Sequence, residues 1–145
     1  MTTQEGRLCL TRGLPRQGLP HLGSPLAVPA HPSSLVLLWV PSRNGRPCVQ
    51  RRTTASQAQA RALALDVNSA PSIAKSAVYN CPTDDGTQVL AYFRASETTT
   101  VVSVALSGCS FITAEFTSAR TKTEPLRQLL SRLAPPNGLW RSRLG

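Results

Sequence analysis

Two cysteines bracket the part of this chain best suited to fold. Cys81 opens the run Cys81-Pro82-Thr83-Asp84-Asp85-Gly86, Cys109 closes Leu106-Ser107-Gly108-Cys109, and between them lie the two strongest strand signals, 87–94 and 100–107. With a loop at Ala95 to Thr99, an antiparallel register centred on Glu97 sets Tyr92 opposite Val102 and Leu90 opposite Val104. That face is apolar throughout and is assigned to the core; Phe93 with Val101, Ala91 with Ser103 and Val89 with Ala105 fall on the other. A slip of one residue exchanges the faces, because side chains alternate along a strand.

In this hairpin Cys81 and Cys109 sit side by side at the open end, within reach of a disulfide. Closing a loop of roughly 30 residues stabilises a fold by about 3 to 4 kcal/mol on a chain-entropy estimate. A domain with a thin core and one staple suits an oxidising compartment. The competing reading is two buried free thiols in a cytosolic protein. Cys9 and Cys48 lie outside this unit and their pairing is open.

Helices flank the hairpin. Thr54-Ala55-Ser56 supplies N-cap hydroxyls for a helix over 57–68, with Ala60, Leu63, Ala64 and Val67 on one face. Thr123 caps a second, in which Leu126, Leu129, Leu130 and Leu133 repeat at helical spacing up to Pro135. Ser76 to Cys81 reads as a short strand, 111–117 as an irregular edge strand and Ser118 to Thr123 as a polar loop. The expected fold is a small α+β domain over 55–134, a three- to four-stranded antiparallel meander with two helices on one face. Residues 135–145 read as a basic tail without structure.

Residues 1–54 are expected to be disordered or a mis-assigned start. Seven of the chain's prolines precede position 48, and residues 1–65 carry eight Arg against one acid, Glu5. A transit peptide is the remaining reading, opposed by the prolines. The longest apolar run, Leu35 to Val40, is too short to span a membrane and too far from Met1 for a signal peptide, so none is recognised. Leu106-Ser107-Gly108-Cys109 has the form of a lipid-attachment site, but its position deep in the chain and the missing basic flank argue for a strand end.

The net charge of +9 raises nucleic acid as a partner. The arginines are scattered, apart from Arg51-Arg52, and no aromatic residues alternate with them to stack bases. Catalysis finds few candidates. Both histidines, His21 and His31, precede the domain, and Asp84-Asp85 has the form of a turn rather than an acid and base pair. Ser103, Ser107 and Ser110 have no base to activate them. The chain lacks Cys-x-x-Cys and phosphate-loop glycine patterns, so no metal or other cofactor is expected.

Asn80-Cys81-Pro82, the Asp-Gly turn, Leu90-Ala91-Tyr92-Phe93, the Val-rich strand and Leu106-Ser107-Gly108-Cys109 together resemble small secreted or lipid-anchored proteins of actinobacteria with no assigned activity. The resemblance covers about residues 60–134 and implies an exported single domain with one disulfide. It brings no catalytic residues, and this chain departs from it in lacking a signal sequence or lipobox near its start.

The function expected is therefore non-enzymatic: an extracytoplasmic structural or binding domain whose partner is another protein or a cell-envelope component. Its candidate surfaces are the second sheet face, with Phe93 and Val101, and the edge near Phe111 and Phe116; the equal alternative is that these aromatics complete the core. The alternative is a basic cytosolic protein touching nucleic acid through Arg51, Arg52, Arg141 and Arg143.

Overall fold

The computed structural model describes residues 24–41, 50–73, 81, 85–114, 117–136 and 138–144. They form an α+β fold built on a six-stranded antiparallel sheet. In chain order the strands are β1 (Ser24–Pro25), β2 (Ser34–Val40), β3 (Arg51–Ala55), β4 (Gln88–Ala95), β5 (Thr98–Ala105), β6 (Phe111–Thr113), β7 (Thr117–Ser118) and β8 (Arg120–Thr121). The main sheet has the order β3-β2-β4-β5-β6-β8, and β1 pairs with β7 in a separate parallel ribbon. The helices are α1 (Gln57–Ser69), α2 (Glu124–Leu133) and α3 (Gly138–Leu144).

The hairpin at the centre is real, but its register differs by one residue. β4 and β5 join through the two-residue turn Ser96-Glu97, with Ala95 opposite Thr98, so Tyr92 faces Val101 and Ala91 faces Val102. Ser96 takes φ 54°, the positive φ that tight primed hairpin turns require, without a glycine to advertise it. Val89, Ala91 and Phe93 consequently point into the core, while Leu90 and Tyr92 are half-buried on the opposite face. Val102, Val104 and Leu106 face the core as expected.

What selects this register is β2, which the proline-rich composition concealed. Leu35, Leu37 and Trp39 alternate inward, and Leu35 pairs with Phe93, Leu37 with Ala91 and Trp39 with Val89. Burying three large side chains of β2 next to Phe93 outweighs burying Leu90 and Tyr92, since each large apolar group contributes about 1.5 to 3 kcal/mol when removed from water. The folded unit thus reaches back before position 55: 24–41 and 50–54 contribute β1, β2 and nearly all of β3. Pro41 ends β2 rather than breaking it, a tolerated position for a residue without an N–H.

The helices cover one face. Ser56 accepts a hydrogen bond from Gln59 N–H at 3.1 Å, and Gln59 Oε1 accepts from Ser56 N–H at 2.9 Å, a reciprocal cap that starts α1. Thr123 Oγ1 accepts from Leu126 N–H and starts α2, whose four leucines are all buried. Residues 135–145, expected to be an unstructured tail, include α3, which puts Trp140 and Leu144 into the same core. A paired apolar side chain four residues on, Trp140 to Leu144, makes one helix face that the Leu-rich α2 can cover.

Ser118 to Thr123 is likewise more than a loop, since Arg120–Thr121 forms β8 against β6. The strand expected at 76–81 lies outside the described residues except for Cys81, as do Cys9, Cys48, Glu115 and Phe116.

Candidate functional site

Cys81 and Cys109 are bonded, with Cα atoms 4.9 Å apart across a separation of 28 residues. Just inside this bridge, Asp85 closes the mouth of the hairpin. Its carboxylate accepts from Thr87 N–H at 3.0 Å, its own N–H donates to Ser107 Oγ at 3.1 Å, and Arg143 of α3 pairs with it at 2.5 Å. Partial burial pushes this carboxyl up, but hydrogen bonds from Thr87 and Ser107 and the Arg143 guanidinium outweigh it and bring it down to about 2. An acid held ionised this firmly anchors a turn and a helix; it is a poor general acid or base near neutral pH. Asp84 lies outside the described residues.

The other polar candidates are also committed to the fold. Ser103 Oγ donates to Gln88 Oε1 at 2.6 Å, Ser107 holds Asp85, and Ser110 takes φ 55° in the turn after Cys109. His31 is exposed and far along the chain from all three. Among the described residues, no three His, Cys, Asp or Glu side chains gather as metal ligands, and no helix is long and apolar enough to cross a membrane.

Of the expected contact residues, Phe93 belongs to the core and Val101 is fully buried, so neither is a surface group. Phe111 is half-buried on β6. The four arginines nominated for nucleic acid do not act together: Arg51 and Arg52 alternate on β3, one to each side of the sheet, and Arg143 is tied to Asp85.

The face opposite the helices carries the remaining candidate. Its register places Ser34 beside Arg94, Val36 beside Tyr92 and Leu38 between Arg52 and Leu90. Ser34, Val36, Leu38, Arg52, Tyr92, Arg94 and Thr99 line a concavity of about 350 Å³ that is open to solvent. Its floor is Val36, Leu38 and Tyr92, all half-buried, and its rim is the exposed Arg52, Arg94, Ser34 and Thr99.

Among the described residues, neither the Arg52 nor the Arg94 guanidinium forms an ion pair or hydrogen bond and no acid lines the concavity. The Tyr92 hydroxyl likewise has no partner there, and burial pushes its phenol up, so it stays a protonated donor. This surface has no signature in the sequence because it depends on β2 pairing with β4 and on the hairpin register. Arg52 precedes Tyr92 and Arg94 by 40 and 42 residues along the chain and comes to the same face with them only in the sheet. No family model, curated protein or solved structure matches this chain.

Proposed function

We propose that this protein is a non-enzymatic extracytoplasmic binding domain, stapled by Cys81–Cys109, that uses the open face of its sheet as the contact surface. The observation that carries the reading is the pair of unneutralised guanidinium groups, Arg52 and Arg94, above an apolar floor. Charged side chains that support a fold normally hold a partner within it, as Arg120, Arg127 and Arg143 do here. Arg52 and Arg94 hold none among the described residues and are therefore available to a ligand from outside. The disulfide supports an oxidising compartment, which the resemblance to exported actinobacterial proteins also implies.

The test pairs stability with location. Replacing both Arg52 and Arg94 by Gln is expected to change the unfolding free energy by no more than about 0.5 kcal/mol, the range of a neutral surface change. A loss well above 1 kcal/mol would assign the two arginines to the fold instead. Intact-mass analysis of the natural protein is expected to find it outside the cytoplasm with Cys81 and Cys109 bridged; a cytosolic protein with both thiols free would refute the compartment.

A further inference from the structure

We propose that the concavity between Arg52 and Arg94 binds a small amphiphilic anion, a carboxylate or phosphate head on a single apolar chain or ring. This rests on reading the open sheet face as a contact surface. The head is recognised by charge: Arg52 on β3 and Arg94 on β4 stand at either end of the site, each able to hold an anionic head, no carboxylate among the described residues opposes them, and Ser34 and Thr99 add hydroxyl donors on the same rim. A guanidinium presents a planar set of donors matched to carboxylate and phosphate oxygens.

The body of the ligand is recognised by the floor. Val36 and Leu38 on β2 and Tyr92 on β4 form a continuous apolar strip between the two charges, and the Tyr92 ring adds a flat surface with one free hydroxyl donor at its end. A volume of about 350 Å³ stands at the lower end of small-molecule sites. It accommodates one chain or ring rather than a folded partner. Neutral amphiphiles leave both guanidinium groups without a counterion, and cationic ones are repelled.

The experiment is calorimetric titration of the oxidised full-length chain with decyl phosphate and decanoate below their micellar concentrations, beside decanol, decyltrimethylammonium, inorganic phosphate and a single-stranded oligonucleotide. Saturable 1:1 binding of one or both anionic amphiphiles is expected, and the stronger of the two separates a phosphate from a carboxylate source. Arg52→Gln with Arg94→Gln is expected to weaken it at least about tenfold, since charge-assisted hydrogen bonds are lost. Tyr92→Phe, which keeps the ring, is expected to weaken it less than about fivefold.

Equal affinity for decanol, or no binding of either anion, overturns the ligand class. Oligonucleotide binding that depends on the two arginines, without binding of decyl phosphate, also overturns the class but keeps the face as the contact surface. Undiminished decyl phosphate binding by the double Gln variant places the ligand elsewhere and overturns both the class and the face.

Discussion

The indole rings of Trp39 and Trp140 meet edge to face, with centroids 6.2 Å apart and planes at 61°. This contact joins β2 to α3 across 101 residues of sequence, and each indole N–H has its own acceptor. Trp39 Nε1 donates to Thr53 Oγ1 at 2.7 Å and Trp140 Nε1 donates to the Val40 carbonyl at 3.4 Å. Two segments that composition set aside, one proline-rich and one at the basic C-terminus, thus meet inside a single core.

Removing one ring should be costly. Trp140→Ala is expected to lose about 3 to 5 kcal/mol of stability, the usual penalty for truncating a buried aromatic side chain. Urea unfolding measures this, and near-UV circular dichroism should lose the signal of the paired indoles. A loss below about 1 kcal/mol would mean that α3 does not hold the core.

The fragment 55–134 should not fold alone. It lacks β2, the central neighbour of β4, and its Val89, Ala91 and Phe93 would face water where Leu35, Leu37 and Trp39 now cover their strand edge. Cooperative thermal unfolding is expected for 24–144 and not for 55–134.

Arg120 ties together three pieces of chain. Its guanidinium donates to the Leu26 carbonyl from Nε at 2.9 Å and Nη2 at 2.7 Å, and to the Ala70 carbonyl from Nη1 at 2.6 Å. Arg120→Ala strips these buried acceptors of donors and is expected to cost about 2 to 4 kcal/mol. Arg120→Lys should recover less than half of it, because one ammonium cannot reproduce the forked geometry. Equal stability of the Lys variant and the wild type in urea unfolding would show that charge alone suffices.

Reduction of Cys81–Cys109 is expected to lower stability by about 3 to 4 kcal/mol by releasing the loop it closes. Far-UV circular dichroism should retain the sheet and helix signals at low denaturant, since Asp85, Ser107 and Arg143 still hold the hairpin mouth. Loss of all structure on reduction would show that the bridge is obligatory.

Asp85 gives the fold a pH dependence of known sign. Its carboxyl titrates at about 2 in the folded protein against an ordinary 3.8, so its stabilisation is complete above about pH 4 and fades as pH falls through 2. Asp85→Asn should lose about 1 kcal/mol at pH 7, a value reduced by solvent screening of the exposed Arg143, and the gap should close near pH 2. Urea titrations at pH 7, 4 and 2 check both the size and the direction.

What the sequence determined by itself was local. The capped helices at 57–69 and 124–133, the two strands of the central hairpin and the bridge between Cys81 and Cys109 were all legible, because caps, helical leucine spacing and β-branched runs act over a few residues. Tertiary structure decided the rest. A one-residue register has no signature in a turn without glycine, and Leu35 to Val40 became a central strand only because β4 offered it a complementary edge and a face to bury. The same pairing turned Tyr92 outward and brought it between Arg52 and Arg94. A candidate site assembled across four strands is therefore set by strand order and register, which depend on the free energy of burying the whole core rather than on any one segment.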